Sequence, residues 1–388
     1  MSHRFLCALL AVALIAGAGV PARAAEPYEI DVILALTGPG AFLGAAESKT
    51  LAAAERFVNQ TGGIKGRPVK FVISDDATQA ANTVQLANAI IAKHPTLFLG
   101  PNIGAGCYAV IPLVKNGPVQ YCFAPTIHPT APSYTFSGGV ATDDQALVGI
   151  RYLHEKGLDK IAMLSSTDAS GQDGETVNKT AIAAFKGTEI VANEHFGTTD
   201  VSVTAQLARI KTSGAQVIYV QTTGTPLGTV LKGISDLGIT LPILTNSGNI
   251  NYAQMAQYAS FMPPELLFTG LRYQAYKTAG SGPVRDADKE FIAAMAAVGV
   301  AKPDITNAIV WDPIMISIKA LRALGTDASP ETVRDYIASL HGYAGINGIM
   351  DFRDGKQRGV TAIASLIVRW DPKVNDWVAV SKPGGFLK

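Results

Sequence analysis

The feature that most constrains this chain is a regular alternation of short apolar runs with longer amphipathic runs. The apolar runs have the length of strands, and they comprise Ile30–Leu36, Pro68–Ser74, Leu97–Leu99, Val119–Phe123, Lys160–Leu164, Glu189–Ala192, Val217–Gln221 and Pro242–Leu244. Helix-like runs separate them, near 45–59, 79–93, 106–116, 144–156, 173–186, 202–213, 226–237 and 251–259. Several strand runs are apolar at nearly every position, as is typical of a parallel sheet covered by helices on both faces. The pattern predicts a doubly wound α/β fold.

The number of strands indicates two sheets, which we divide near Thr142–Asp143. The rest of the chain contains a strand-like run at Leu266–Leu271, helices near 284–297, 304–323 and 330–340, and a hairpin candidate around Asp354-Gly355. Because too little chain remains there for a third domain, we expect it to cross back and extend both lobes. We predict two doubly wound parallel-sheet lobes, lobe 1 formed by 26–142 plus 270–345 and lobe 2 by 143–269 plus 346–388. Several crossings between two lobes make a hinge beside a cleft.

The first 25 residues have the layout of a secretory signal peptide. Arg4 supplies the positive start, Phe5–Val20 is almost wholly apolar, and Ala22-Arg23-Ala24 places small residues around a variable one. A transmembrane anchor is the alternative, but the apolar run falls short of the roughly 20 residues needed to span a bilayer. We therefore expect residues 1–25 to be removed near Ala24 and Ala25 and the mature protein to be exported.

Removal of that segment leaves two cysteines, Cys107 and Cys122. An even pair in an exported protein favours a disulfide bond, and two buried free thiols are the alternative. The loop that the bond would close is about 15 residues long, which corresponds to roughly 3 kcal/mol in the chain-entropy treatment.

Composition and motif content exclude several classes of function. The chain is 48% hydrophobic and only 16% charged, so it is not a disordered protein. Its 32 basic and 31 acidic residues leave no basic surface for nucleic acid. The usual nucleophile-elbow, zinc-protease, P-loop and complete dinucleotide-binding motifs are absent, and the six histidines show no metal-pair spacing. We expect neither an enzyme nor a bound cofactor or metal.

Six loops follow the predicted strands at the edge where open α/β sheets bind ligands. They are rich in Gly, Ser, Thr and Asn, and comprise 37–44, 100–106, 124–129, 165–171, 222–225 and 245–249. Exposed backbone N–H groups and hydroxyls in such loops can hold a carboxylate without a fixed positive charge. Any one loop is equally explained as turn chemistry. Six at the same edges of two sheets favour a binding site.

The sequence also resembles a known family. The segments that carry the resemblance are LTGPGAFLG at Leu36–Gly44, NQTGGIKGRPVKFVISDD at Asn59–Asp76, FLGPNIGAGCYAVIPLVKNGPV at Phe98–Val119, LKGISDLGI at Leu231–Ile239 and WDPIMISIKAL at Trp311–Leu321. They are similar to the type I periplasmic substrate-binding proteins of ABC importers, in the leucine/isoleucine/valine-binding branch. The resemblance implies a three-crossing hinge, closure around a small carboxylate, and delivery of that ligand to a membrane permease. We expect a monomer.

Carried over by position, the resemblance implies a set of ligand contacts on both lobes: Phe42, Leu43, Gly104, Ala105, Gly106, Thr126, Ile127, His128, Ser170, Thr223, Gly224 and Ser247. Two positions depart from the amino-acid binders. Ser170 stands where they usually carry an aromatic residue, and Ser247 stands where leucine-type members carry an acid that pairs with the ligand ammonium. An ammonium buried without a carboxylate costs several kcal/mol on ordinary estimates.

We therefore expect a carboxylate without an α-ammonium group, such as an aromatic acid or an aryl or branched 2-oxo acid. Phe42 or Trp311 would stack on a ring, and His128 would donate to the carboxylate or to a ring hydroxyl. His128 as a solvated loop residue and Trp311 as a core residue are the alternatives. A binding protein for branched-chain or other hydrophobic amino acids, and a ligand-sensing receptor domain, are the alternative functions.

Overall fold

The computed structural model describes residues 26–278 and 281–388. The predicted signal peptide, residues 1–25, lies outside these ranges. Within the described residues, no helix combines the length and apolar character needed to cross a membrane.

The N-terminal part of the chain forms a five-stranded sheet. Its elements are β1 (Tyr28–Leu34), α1 (Ala41–Gln60), β2 (Val69–Asp75), α2 (Ala80–Ile91), β3 (Leu97–Leu99), α3 (Gly104–Val110), β4 (Val119–Cys122) and β5 (Thr135–Ser137). The strand order is β2-β1-β3-β4-β5, and every neighbouring pair is parallel. The helices cover apolar strands such as β3, whose three residues are all buried. We call this sheet and the helices packed on it the first lobe.

A second sheet follows in the next part of the chain. Its elements are α4 (Thr142–Glu155), β6 (Lys160–Ser166), α5 (Ala169–Ala183), β7 (Glu189–Phe196), α6 (Thr204–Thr212), β8 (Val217–Gln221), α7 (Thr225–Asp236), β9 (Ile243–Thr245), α8 (Tyr252–Tyr258) and β10 (Leu266–Leu271). These strands run parallel in the order β7-β6-β8-β9-β10. We call this sheet with its helices the second lobe.

The C-terminal part of the chain extends both lobes. It contains α9 (Pro283–Ala296), α10 (Ile305–Leu324), α11 (Pro330–Ser339), β11 (His341–Gly345), β12 (Gly348–Asp351), β13 (Ser365–Asp371) and β14 (Asp376–Ala379). Helix α10 packs on α1, where Asn307 Nδ2 donates to the Ala46 carbonyl at 2.9 Å. Strands β13 and β14 join the second sheet beside β10, both antiparallel to their neighbours, so this sheet is mixed at one edge.

The chain passes between the lobes three times. It crosses after β5 into α4, returns after β10 to α9, and crosses again after β12 to β13. The α/β class, the two sheets and the three crossings confirm the fold expected from the sequence. The residue boundaries given above for the two lobes remain a prediction.

The hairpin expected around Asp354-Gly355 is wrong in position. The paired strands are β11 and β12, and their turn lies at Ile346-Asn347. The buried Asp312 carboxylate on α10 determines this turn, because it accepts the N–H groups of Ile346 at 3.0 Å and Asn347 at 3.3 Å. Asp354-Gly355 instead forms a turn after β12.

Cys107 and Cys122 form the expected disulfide bond, with a Cα–Cα distance of 6.0 Å. The bond ties α3 to the end of β4, and it is buried with Ala124 and Ile127. It therefore braces the loop that leaves β4, one of the six loops predicted to bind ligand.

Candidate functional site

A pocket of about 210 Å³ lies where loops of the two lobes meet. Pro125 and Thr126 come from the first lobe, and α4, α5 and the ends of β8 and β9 supply most of the rest. The lining residues are Pro125, Thr126, Thr142, Gln145, Ala146, Ser170, Asp173, Gly174, Val177, Asn178, Tyr219, Gln221, Thr223, Asn246, Ser247, Gly248 and Thr269. Ligand pockets for drug-sized molecules are commonly about 300–1,000 Å³, so this pocket suits a smaller ligand.

Four of the residues predicted from the sequence line this pocket: Thr126, Ser170, Thr223 and Ser247. The other eight lie outside its lining: Phe42, Leu43, Gly104, Ala105, Gly106, Ile127, His128 and Gly224. Phe42 is 59% exposed in the first turn of α1, and His128 is also exposed. Ile127 is fully buried beside the disulfide. The Gly224 N–H donates to Asn249 Oδ1 at 3.0 Å and so helps to hold its own loop.

Thr126 connects the pocket to the first turn of α3. A Cβ on Gly104 would lie 2.3 Å from Thr126 Oγ1, so only glycine allows this helix to approach so closely. The pocket therefore has a threonine hydroxyl at its first-lobe end, and the first turn of α3 lies against that hydroxyl.

Ser170 stands at the first turn of α5, opposite that end. Its hydroxyl donates to Asp168 Oδ2 at 2.7 Å, and the Ser166 hydroxyl donates to Asp168 Oδ1. Burial acts to raise the pKa of Asp168, but these hydrogen bonds outweigh burial and the pKa is lowered. The ionised Asp168 carboxylate therefore holds the Ser170 side chain, and the Ser170 hydroxyl proton is used in that hydrogen bond.

Two amide side chains hold the loops after β8 and β9. Asn246 Nδ2 and Asn249 Nδ2 both donate to the Thr222 carbonyl, at 2.9 and 2.8 Å. Asn246 Oδ1 also accepts the Gly248 N–H at 2.9 Å. This arrangement fixes the adjacent residues Thr223 and Ser247, whose side chains line the pocket.

The floor of the pocket lies inside the second lobe, between α4 and α5. Tyr219 and Gln221 reach it from β8, Asn178 from α5 and Thr269 from β10. All four are buried, and burial raises the pKa of Tyr219, so its phenol stays neutral. Sequence reasoning missed these residues. A polar residue inside a strand or helix looks the same in the sequence whether it lines a pocket or is hydrogen-bonded in the core.

The charges around the pocket are sparse. Among the described residues, its lining contains one acid, Asp173, and no lysine or arginine. Asp173 is exposed in the first part of α5. The sequence argument considered only the position of Ser247 and did not identify Asp173. The Asp173 carboxylate is nevertheless the group that a ligand ammonium would have to reach.

A buried arginine supports the first-lobe side of the pocket from below. Arg358, in the third crossing, donates to the carbonyls of Gly138 at 3.2 Å, Gly139 at 3.0 Å and Pro125 at 3.1 Å, and also to that of Ile127. Its guanidinium thereby joins the first crossing to the loop that carries Thr126. Nothing in the local sequence indicates this role, because its acceptors lie more than 200 residues away.

A second, larger recess of about 850 Å³ lies beside the hinge and contains none of the predicted ligand contacts. Its charged groups include Asp351 and Arg353, which pair with each other at 2.6 Å on the surface. Trp311 lies in neither recess: it is 3% exposed and packs on Phe57 and Phe291. The interpretation of Trp311 as a core residue is therefore correct, and it does not stack on a ligand.

Comparison with known proteins gives the family. The family model described as periplasmic binding protein matches residues 27–374. The chain belongs to that family. The resemblance seen in the sequence is thereby confirmed, and the chain is a binding protein rather than an enzyme. Among the described residues, no cluster of three or more His, Cys, Asp or Glu side chains is arranged to hold a metal ion.

Individual relatives of this periplasmic binding protein are distant. Leu/Ile/Val-binding protein homolog 1 of Brucella suis is 26% identical over 233 residues, 57% of this chain and 61% of that protein. The chain thus spans less than two thirds of the length of the first curated relatives that it matches.

Two solved structures share the fold. An extracellular ligand-binding receptor from Rhodopseudomonas palustris HaA2 has a TM-score of 0.78 at 20% identity, covering 91% of this chain and 99% of that one. An ABC transporter solute-binding protein from R. palustris in complex with benzoate has a TM-score of 0.75 at 16% identity, covering 92% and 96%. At these identities the likeness concerns the fold.

Proposed function

We propose that this periplasmic binding protein captures a small carboxylate without an α-ammonium group, in the pocket between its lobes. The preferred class is an aromatic acid or an aryl or branched 2-oxo acid. The observation that carries the proposal is the lining of the pocket: most of its residues carry a hydroxyl or an amide group, and no basic side chain occurs among the described residues. Neutral donors of this kind hold an anion without a salt bridge.

The carboxylate belongs at the first-lobe end of the pocket. Thr126 supplies a hydroxyl there, and Gly104 brings the first turn of α3 against that hydroxyl. Gly104, Ala105, Gly106 and Thr126 thus remain our proposed contacts for the anion. Gly104, Ala105 and Gly106 lie outside the lining, as do Phe42, Leu43, Ile127, His128 and Gly224, and direct contact of these residues with ligand would require the lobes to close.

The names of two similar proteins indicate different ligands for those proteins. The R. palustris protein of the same fold is described with benzoate, whereas the curated Brucella relative is named for leucine, isoleucine and valine. Asp173 is the observation that favours the second class, because it is an acid in the pocket lining. We assign it less weight, because its exposed carboxylate lies in water, where an ion pair contributes only about 0–1 kcal/mol.

The broader role follows from the family. We propose that the protein is exported to the periplasm and delivers its ligand to the membrane permease of an ABC importer, acting as a monomer. Hinge closure over the ligand would present the two lobes to the permease in one fixed arrangement.

A thermal-shift panel tests the ligand class. Benzoates, cinnamates, 2-oxo acids and amino acids would be compared at equal concentrations. A true ligand at about 100 times its dissociation constant stabilises the fold by roughly 2.7 kcal/mol. We expect carboxylates without an ammonium group to give the largest shifts. Largest shifts from leucine or valine, with none from their deaminated analogues, would show that the proposed ligand class is wrong.

Thr126→Val tests the position of the carboxylate. The substitution removes one hydroxyl from the pocket and keeps the shape, so affinity for the best carboxylate should fall about tenfold, as for the loss of one hydrogen bond. Thr180→Val, on the exposed face of α5, is the matched control and should leave affinity unchanged. Equal affinity of both variants would place the carboxylate elsewhere.

A further inference from the structure

At the second-lobe end of the pocket, two polar side chains have a donor atom without an acceptor among the described residues. Gln221 is 8% exposed and Thr269 is 1% exposed, and both line the pocket. Among the described residues, Gln221 Nε2 donates to no acceptor, and the Thr269 hydroxyl makes no hydrogen bond. Neither donor atom is completely shut off from solvent, so both are open to the pocket that their residues line. The floor of this pocket therefore offers two hydrogen-bond donors to a ligand.

The neighbouring side chains orient the Gln221 amide. Asn178 Nδ2 donates to Gln221 Oε1 at 3.3 Å, which occupies the oxygen and leaves the Nε2 hydrogens to another acceptor. Asn178 is itself 1% exposed and lies beside the Tyr219 phenol. The amide is thus fixed by a buried neighbour, as a preformed specificity group must be.

Two glycines bring the helices onto this floor. A Cβ on Gly174 of α5 would lie 2.1 Å from Gln221 Nε2, so α5 packs directly against the amide. A Cβ on Gly149 of α4 would lie 3.2 Å from Thr269 Cγ2 and 3.5 Å from Tyr219 Oη. The helices α4 and α5 therefore approach the floor closely, and both Gln221 and Thr269 line the chamber between them.

An aliphatic side chain is a poor occupant of this chamber. It would cover the Gln221 amide and the Thr269 hydroxyl and leave both without a partner. Sites built to hydrogen-bond a polar group reject the analogue that lacks it far more strongly than apolar pockets reject a change in size. The polar floor thus disfavours the side chains of leucine, isoleucine and valine.

We propose that this chamber selects ligands that carry an uncharged hydrogen-bond acceptor, a hydroxyl or carbonyl oxygen, at the end opposite their carboxylate. The proposal rests on the proposed function, and it narrows the ligand to small hydroxylated or carbonyl-bearing acids, among which single-ring phenolic acids fit the pocket volume. Gln221 and Thr269 are the residues that determine this specificity.

Calorimetric titration with matched probes tests the proposal. Benzoate and its 2-, 3- and 4-hydroxy derivatives would be titrated into the wild-type protein, together with cinnamate and 4-hydroxycinnamate. At least one hydroxylated probe should bind about tenfold more tightly than its parent acid. If no hydroxylated probe exceeds its parent, the proposal is overturned while the proposed function stands. If neither these probes nor the 2-oxo acids of the thermal-shift panel bind, both the proposal and the proposed function are overturned.

Variants identify the responsible residue. Gln221→Leu should abolish the preference for the hydroxylated probe and leave affinity for the parent acid within about threefold. Gln172→Leu, an exposed glutamine on the same helix as Asn178, should keep the full preference. Thr269→Val provides the second variant should Gln221→Leu fail to fold, and it should reduce the same preference. An unchanged preference in a folded Gln221→Leu or Thr269→Val protein contradicts the assignment.

Discussion

Glu47 is a buried carboxyl group whose protonation state depends on its surroundings in the fold. It lies on α1 and is 2% exposed, and Asn102 Nδ2 donates to its Oε2 at 2.6 Å. Asn102 Oδ1 in turn accepts the Ala35 N–H at 3.0 Å, at the end of β1. Burial raises the pKa of Glu47 to about 8, and the hydrogen bond from Asn102 offsets only part of that effect. The group is therefore neutral in the folded protein near pH 7.

Glu47→Gln should change how stability depends on pH. The pKa of Glu47 is higher in the folded than in the unfolded protein. Its contribution to the free energy of unfolding is therefore complete below about pH 4.5 and is lost as the pH rises through 8. The variant should match wild type at pH 5 and exceed it at pH 9, by on the order of 1–3 kcal/mol. Thermal unfolding across this range is the measurement, with the exposed Glu290→Gln as control. Parallel pH profiles for wild type and Glu47→Gln would show that Glu47 is not the group responsible.

Phe42 is a proposed ligand contact that hinge closure would have to bring to the ligand. It is 59% exposed on the first turn of α1, and the loop before it is held by Asp75, which accepts the Leu36 N–H at 2.8 Å and the Thr37 hydroxyl at 2.7 Å. An exposed phenylalanine beside a cleft is explained if closure brings it onto a ligand.

Phe42→Ala should weaken ligand binding without unfolding the protein. Truncation of an exposed side chain usually changes stability by no more than about 0.5 kcal/mol, whereas loss of a ring contact on ligand should lower affinity several-fold. Titration and thermal unfolding of the same variant separate the two effects. Unchanged affinity would remove Phe42 from the site.

At the scale of elements, three of the four second-lobe contacts predicted from the sequence line the pocket, although most of the second-lobe lining was not predicted. Ser170, Thr223 and Ser247 were accessible because they follow strand ends, where topology alone places loops at one edge. Asn178, Gln221 and Thr269 were not, because they lie inside elements whose polar positions carry no functional signal. The Ile346-Asn347 turn was missed because Asp312, which holds it, is more than 30 residues away.

Arg358 joins three elements, and its removal should affect all of them. Arg358→Met would leave the carbonyls of Gly138, Gly139, Pro125 and Ile127 without their donor. We expect a loss of stability of about 1–3 kcal/mol, with weaker ligand binding because the Thr126 loop is released. Arg353→Met, which breaks an exposed ion pair with Asp351, should change stability by less than about 1 kcal/mol. Equal effects of the two substitutions would contradict a supporting role for Arg358.

At the scale of the whole molecule, three crossings hold two lobes around a pocket whose lining residues are mostly uncharged. Among the described residues, Pro125 and Thr126 are the ones that reach its lining from the first-lobe loops, while the second lobe supplies the chamber between α4 and α5. A ligand seated in that chamber would gain its remaining contacts when the first lobe closes on it. Closure driven by contacts from both lobes is the motion expected of a periplasmic binding protein.

The most direct test of this account is calorimetric titration with pairs of ligands that differ only in the α-substituent. Phenylpyruvate would be compared with phenylalanine, and 4-methyl-2-oxopentanoate with leucine, in the wild-type protein and in Asp173→Asn. The account predicts that the 2-oxo acid of at least one pair binds more tightly than its amino acid, and that Asp173→Asn leaves this preference intact. Tighter binding of the amino acids, lost in Asp173→Asn, would contradict it.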